Sequence, residues 1–140
     1  MRMFVVVLGA GLCAAAPAVA QDAAAGEKIF AQCKACHQIG ETAKNAIGPE
    51  LNGVIGRKAG TAEGYSYSSA NKGSGLTWDE ATFRDYIKDP RAKVPGTKMT
   101  FAGVKDPKQI EDLLAFLKQF DATGKKKAAM IPSADKWAKM

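Results

Sequence analysis

The chain is short, moderately apolar and basic: it has 140 residues, of which 46% are hydrophobic and 24% charged, and its formal net charge is +6. A chain of this length forms one small domain and leaves no room for two. Most of the positive charge lies in residues 125–140, which contain five lysines and one aspartate. The rest of the chain is therefore close to neutral, which argues against a nucleic-acid-binding protein.

The first 20 residues have the features of a secretory signal peptide. A basic residue is followed by an apolar run, and the small residues Ala18 and Ala20 precede the expected cleavage site. A membrane anchor is the alternative, but the run is short for a span and no basic cluster follows it. A lipid on Cys13 is disfavoured because Leu12 stands where lipoprotein signals have a small residue. We expect cleavage after Ala20, export to the periplasm and no permanent membrane anchor.

A helix and then a long loop are predicted after the signal peptide. The helix begins at Asp22 or Ala23, with Asp22 as its cap, and its apolar positions continue to Cys33. Residues 38–76 are rich in Gly and Ser and form turns, apart from a short helix near residues 69–72. A compact domain rarely contains so much irregular chain, so the loops are expected to wrap a bound group.

Two further helices are predicted in the second half. The sequence TWDE, which begins at Thr77, is typical of a capping box, and the helix it starts ends before Pro90. The last helix begins at Asp106 and Pro107 and is ended by Gly124. No strand pattern is present. The sequence thus predicts an all-α domain over residues 21–124 and a basic, mobile extension over residues 125–140.

The segment CKACH contains Cys33, Cys36 and His37, and Cys-x-x-Cys-His is the attachment sequence for a c-type haem. Residues three apart on a helix share a face, so both thiols can bond to one porphyrin while the imidazole binds its iron. A disulfide redox motif usually follows a strand, and none is predicted here. A zinc site needs four ligands, and only three lie close together. A structural disulfide would leave His37 unexplained. One covalently bound haem c is therefore the predicted cofactor.

The second axial ligand of the iron can be argued by elimination. His37 is the only histidine, so a second histidine of this chain is excluded. After residue 20 the chain has three methionines, Met99, Met130 and Met140, and only Met99 lies between two predicted helices, in VPGTKMTFAG. A buried core methionine is the ordinary alternative for Met99. With the haem placed, we expect His37 and Met99 to be the two axial ligands of the iron.

Five motifs occur in the order found in a known family: KACH, GPELNGVIGRKAG, GYSYSSANK, LTW and PGTKMTFAG. The chain resembles class I c-type cytochromes of the mitochondrial cytochrome c and bacterial cytochrome c2 type over about residues 22–121. The resemblance implies a cytochrome c fold, with about four to five helices and long irregular loops wrapped around one haem. It also implies that the first and last helices cross through Gly26, Phe30, Leu113 and Phe116.

The resemblance implies further haem-binding residues by matching position. The Pro49 carbonyl would accept a hydrogen bond from the second ring nitrogen of His37 and fix the ligand's orientation. Arg57, Tyr67 and Trp78 would hold a buried haem propionate. The ordinary alternatives are core packing for the two aromatic residues and a solvated charge for Arg57.

Four more residues are placed around the haem by the same resemblance. Asn71 and Thr97 would lie near the propionate. Tyr86 would lie close to the sulfur of Met99, and Phe101 would shield the haem from solvent.

A haem iron with two protein ligands has no open position, so the sequence predicts an electron transfer protein and not an enzyme. The resemblance implies a soluble, monomeric carrier whose iron cycles between Fe(II) and Fe(III). A quinol–cytochrome c oxidoreductase would be the electron donor, and a terminal oxidase or photosynthetic reaction centre the acceptor. The alternatives are a haem enzyme or ligand sensor with an open distal site, similar to a peroxidase, and an immobile haem subunit. Candidates for a positive rim around the haem edge are Lys34, Lys93, Lys98, Lys105 and Lys108.

Overall fold

The computed structural model describes residues 21–127, which form five helices joined by long irregular segments. The helices are α1 (Ala23–Phe30), α2 (Ser69–Lys72), α3 (Glu80–Lys88), α4 (Pro90–Lys93) and α5 (Pro107–Lys118). Within residues 21–127 the only β-type pairings are two isolated bridges. The predicted all-α class with four to five helices is therefore confirmed. The predicted signal peptide and most of the predicted extension, residues 128–140, lie outside the described residues.

The helices α1 and α5 begin where the sequence predicts, because each has an aspartate cap. The Asp22 carboxylate accepts the backbone N–H of Ala24 at 2.9 Å and that of the next residue. The Asp106 carboxylate accepts the N–H of Gln109 at 3.1 Å, and Pro107 occupies the first helical position. These side chains satisfy backbone donors that a helix N-terminus leaves without partners.

The backbones of α1 and α5 approach each other closely. A Cβ atom on Gly26 would lie 1.9 Å from the backbone oxygen of Asp112, so the two backbones meet at a position where only glycine fits. One turn further on, the rings of Phe30 and Phe116 lie 5.1 Å apart, and Leu113 is buried beside them. The crossing of the first and last helices is thus present with the four residues expected.

The helix α3 begins later than the sequence predicts. The cap is Asp79, whose carboxylate accepts the N–H of Thr82 at 2.8 Å, and the predicted capping box at Thr77 does not form. The reason is a tertiary contact: Thr77 forms a bridge with Lys58, and the N–H of Trp78 donates to the Arg57 carbonyl at 2.9 Å. This pairing keeps the chain extended until Asp79.

The helix α5 ends earlier than the sequence predicts, at Lys118 and not at Gly124. The following chain turns back on itself, with Gly124 at φ +82° in the turn. Phe120 forms a bridge with Lys126, and the Lys127 N–H donates to the Gln119 carbonyl at 2.6 Å. The first three residues of the predicted extension are therefore paired with residues 119–121.

Two short helices flank the loops of the domain. The helix α2 lies at the predicted residues, and Ser68 caps it by accepting the N–H of Asn71 at 3.1 Å. The helix α4 was not predicted, because Pro90 was interpreted only as the end of α3. Pro90 also starts α4, with Asp89 accepting the N–H of Ala92 at 3.1 Å. In the described range, no helix combines the length and the hydrophobicity needed to span a membrane.

Candidate haem site

One large cavity of about 350 Å³ lies between the loops and α3. Its wall contains all twelve residues that the sequence analysis assigns to haem binding, which come from separate parts of the chain. These residues are Cys33, Cys36, His37, Pro49, Arg57, Tyr67, Asn71, Trp78, Tyr86, Thr97, Met99 and Phe101. Most of the remaining wall is apolar, so the cavity suits a large, largely apolar group with a few polar substituents.

The two thiols lie on the turns that follow α1. The N–H of Cys33 donates to the Phe30 carbonyl at 2.8 Å, and the N–H groups of Cys36 and His37 both donate to the Cys33 carbonyl, at 3.1 and 2.9 Å. This winding brings Cys33, Cys36 and His37 to the same wall. Both cysteines are free thiols in the structure. Burial, with a contribution from the Cys36 charge, raises the pKa of the Cys33 thiol to about 11.

The imidazole of His37 is held in one orientation by the chain. Its Nδ1 lies 2.7 Å from the Pro49 carbonyl oxygen, an acceptor only, so Nδ1 carries the proton and Nε2 has a free lone pair. Gly48 makes this contact possible, because a Cβ there would lie 2.4 Å from the imidazole Cε1. Burial lowers the pKa of His37, and the Arg57 charge adds to that effect. A neutral imidazole with Nε2 free is the form that binds a metal ion.

Met99 lies on the cavity wall with its sulfur in a polar contact. The Tyr86 hydroxyl donates to the Met99 sulfur at 3.0 Å. Burial raises the pKa of Tyr86, so its hydroxyl keeps the proton that it donates. The backbone N–H of Met99 donates to the Thr97 hydroxyl at 3.2 Å, which helps to set the direction of this segment.

Aromatic side chains support the cavity behind these groups. The rings of Trp78 and Tyr86 lie 4.5 Å apart, and those of Tyr65 and Tyr67 lie 4.7 Å apart in an edge-to-face contact. The Tyr67 hydroxyl accepts the N–H of Ala62 at 2.9 Å. Tyr65 also lines the cavity but was not among the predicted site residues. The sequence GYSYSS places it two residues before Tyr67, which is a usable signal.

A buried polar atom in the wall indicates that the cavity holds a polar substituent. The side-chain oxygen of Asn71 is buried and has no hydrogen-bond partner within the described chain. Buried polar atoms are nearly always paired, so this atom is expected to meet a group bound in the cavity. Together with two free thiols and an oriented imidazole, it fits a covalently bound haem with polar propionates.

Arg57 lies on the cavity wall and also pairs with Glu50, which is not among the predicted site residues. Its Nη1 lies 3.0 Å from Oε1 of Glu50, and its Nη2 donates to the Glu50 carbonyl at 2.9 Å. Its Nη1 also contacts the carbonyl of Asn52 at 3.2 Å. The placement of Arg57 at the cavity agrees with the expectation, whereas its acidic partner was missed because an ion pair seven residues apart in a loop has no sequence period.

Comparisons with known proteins agree with this geometry. The Cytochrome c family profile matches residues 23–121. Cytochrome c2 of Blastochloris viridis is 58% identical over 127 residues, covering 91% of this chain and all of that protein. Cytochrome c-550 of Bradyrhizobium diazoefficiens is 65% identical over 103 residues, 74% of this chain and 76% of that one.

Solved structures support the same assignment at the level of the fold. Cytochrome cH from Methylobacterium extorquens is 57% identical, with a TM-score of 0.66, and the match covers 69% of this chain and 97% of that one. Cytochrome c2 from Rhodospirillum centenum is 39% identical, with a TM-score of 0.68, over 71% of this chain and 98% of that one.

The fold and the cavity define a protein built around a covalently attached haem. The chain belongs to the cytochrome c family, in agreement with the resemblance to class I c-type cytochromes of the c2 type. Its cofactor is one haem c, and among residues 21–127 Cys33 and Cys36 are the two free thiols that could bind it.

Proposed function

We propose that this protein is an exported, monomeric carrier of single electrons, with His37 and Met99 as the two axial ligands of its haem iron. When bound, the haem supplies an iron that accepts and releases one electron. The observation that carries the proposal is the contact of the Tyr86 hydroxyl with the Met99 sulfur, at 3.0 Å, in the cavity that His37 also lines. With the His37 imidazole and the Met99 thioether both bound to the iron, no open position would remain for a substrate.

The chain's other contribution is the environment of the haem. A thioether ligand favours the ferrous state, and burial disfavours the additional charge of the ferric state, so both raise the reduction potential. Trp78 and Tyr86 are each 8% exposed, which limits the access of water to this part of the cavity. The residues that line the cavity would therefore bind and orient the haem and shield it from water, while the haem itself carries the electron.

The proposed partners are membrane redox complexes: a quinol–cytochrome c oxidoreductase as donor, and a terminal oxidase or photosynthetic reaction centre as acceptor. The five lysines proposed for the positive rim are all exposed. Lys93 is 3.6 Å from Asp85, and Lys108 pairs with Asp112 at 2.5 Å, so these two carry partly balanced charges. Steered association would appear as reduction kinetics that slow as the ionic strength rises.

The ligand assignment is tested with Met99→Ala. We expect the near-infrared charge-transfer band of a sulfur–iron bond to disappear and the reduction potential to fall. Gln109→Ala is the control, because Gln109 is an exposed residue of α5 that does not line the cavity, and its truncation should change neither quantity. If the band and the potential both survive in Met99→Ala, the assignment is wrong.

The same spectra separate the carrier from the haem enzyme or ligand sensor. A carrier with two protein ligands gives a low-spin ferric spectrum, and azide or cyanide binds to it slowly. An enzyme with an open distal site gives a high-spin spectrum and binds these anions at once.

A further inference from the structure

The ion pair of Glu50 and Arg57 connects the cavity wall to a carboxylate outside the cavity. The Arg57 side chain is 17% exposed and lines the cavity, and that of Glu50 is 24% exposed and is not among the lining residues. Surface ion pairs of this kind contribute little energy when both side chains are free to move. The effect of this pair therefore depends on how many hydrogen bonds fix the Glu50 and Arg57 side chains in place.

Both groups of the pair are bonded to the same short stretch of backbone. One carboxylate oxygen of Glu50 accepts from Arg57, and the other accepts the N–H of Asn52 at 2.6 Å. The guanidinium donates to the carbonyls of Glu50 and Asn52. The N–H of Glu50 donates in turn to the side chain of Asn45 at 3.0 Å. The ion pair is therefore fixed in place. Its carboxylate belongs to Glu50, the residue directly after Pro49, whose carbonyl accepts the hydrogen bond from the His37 imidazole.

The charges of Glu50 and Arg57 are expected to affect the relative stability of the ferric and ferrous haem. Arg57 and His37 both line the cavity, so the guanidinium lies at the site that would hold the haem. A ferric haem carries one more positive charge than a ferrous haem. Unbalanced, the positive charge of Arg57 would favour the ferrous state, and a carboxylate held against it opposes that effect.

Building on the proposed function, we propose that Glu50 is a positioning residue that lowers the reduction potential of the haem, by balancing the charge of Arg57 and holding its guanidinium on the backbone of residues 50–52. In general, a unit charge within roughly 15 Å of a redox centre, acting through an effective dielectric of about 20, shifts a one-electron equilibrium several-fold. Glu50 thereby lowers the reduction potential from a position outside the cavity.

The test is the reduction potential of the full holoprotein, measured by redox titration at pH 7 and low ionic strength. Glu50→Gln keeps the shape of the side chain and removes its charge. We expect the equilibrium constant for reduction to rise at least about threefold, equivalent to about 28 mV for one electron. Glu63→Gln is the control, because it makes the same change in net charge at an exposed position and should shift the potential much less.

Two further variants distinguish an electrostatic role from a structural one. Glu50→Asp keeps the charge and should return the potential towards that of the natural protein. Arg57→Gln should lower the potential, opposite in sign to Glu50→Gln, whereas opening the cavity to water would move both variants in the same direction. Equal shifts in Glu50→Gln and Glu63→Gln, or equal signs for Glu50→Gln and Arg57→Gln, would overturn the proposal.

The proposed function is tested separately. The sulfur–iron band of the unmodified protein reports on the ligands of the iron and does not depend on the potential of Glu50→Gln. A present band with an unshifted potential rejects the role of Glu50 alone. An absent band rejects the proposed ligand set.

Discussion

The α1–α5 contact and the loop of residues 38–68 are held together in different ways. The α1–α5 contact is mainly apolar: Phe30 and Leu113 are each 1% exposed, and the rings of Phe30 and Phe116 lie 5.1 Å apart. The loop contributes few buried apolar side chains, and its shape depends on hydrogen bonds such as the two between the Asn52 amide and Gly40, at 2.8 and 2.9 Å. The helix contact provides stability, and the loop provides the positions of Pro49 and Arg57 at the cavity.

This difference implies that the loop depends on the cofactor more than the helices do. Loss of the haem from the cavity of about 350 Å³ would remove packing partners from the loop residues that line it. The helices have a packing surface of their own, but α1 and α5 have only 8 and 12 residues. Helices of this length are marginal without tertiary contacts, so the two regions are expected to fold together around the haem.

The largest effect is expected from removing the covalent attachment. The double variant Cys33→Ser with Cys36→Ser should not retain haem, and without haem the chain should lose its cooperative unfolding transition. The measurements are haem content after acid–acetone extraction, and circular dichroism during thermal unfolding. Full recovery of extraction-resistant haem from the double variant would contradict covalent attachment. A cooperative transition without haem would show that the helices fold independently of the loop.

The next largest effect is expected at the helix contact, from Gly26→Ala. The added Cβ would lie 1.9 Å from the backbone oxygen of Asp112, and a backbone atom cannot rotate away. The helices must separate, at a cost of about 3 kcal/mol in the free energy of unfolding. Ala24→Val adds volume on the exposed side of α1 and serves as the control. Denaturant unfolding measures both; an equal loss in the two variants would show that the crossing is not tight.

A smaller effect is expected in the loop, from Asn52→Ala. The variant removes both hydrogen bonds to Gly40 and leaves that backbone without these partners, which should cost about 2 kcal/mol. Because the loop also holds Pro49 and Arg57, the potential should change as well, which is not expected for Gly26→Ala. Redox titration of both variants checks this. Glu41→Ala, at an exposed position of the same loop, is the control.

The smallest effect is a pH dependence of the helix contact. The Asp112 carboxylate accepts from Lys108 at 2.5 Å and from the Asp22 N–H at 2.9 Å, and these bonds lower its pKa, with Lys108 the larger cause. A lowered pKa means that this contribution is complete above the pKa of the unfolded chain, about 3.9, and is lost as the pH falls through the lower folded value.

The variant Asp112→Asn isolates the contribution of the ionised Asp112 carboxylate to the free energy of unfolding. At pH 7 it should be less stable than the natural protein, and the difference should shrink as the pH falls below about 4. Unfolding midpoints between pH 3 and pH 7 measure the change, with Glu27→Gln as the exposed control on α1. A difference that stays constant across this range would show that the charge of Asp112 does not contribute.

The extent to which the sequence predicted the fold differs between local and distant contacts. The caps of α1 and α5 were predicted correctly because the Asp22 and Asp106 side chains bond to backbone groups two to three residues away. The start of α3 was predicted wrongly, because the bridge between Lys58 and Thr77 is a contact across nineteen residues that no local pattern reveals. The end of α5 was also predicted wrongly, but here the contacts are local: residues 119–121 pair with residues 125–127, and Gly124 lies in the turn between them and not at the end of the helix.

What the sequence by itself determined is the chemistry of the cofactor: the spacing of CKACH, a single histidine, and one methionine between helices restrict both attachment and ligation, because covalent bonds and ligand types depend on residue identity. What only the tertiary structure decided is the environment of that chemistry. The closure of the cavity, the contact of Tyr86 with Met99 and the pairing of Glu50 with Arg57 depend on distances between groups that are brought together only when the chain folds. Such distances set electrostatic energies, and a linear sequence does not contain them.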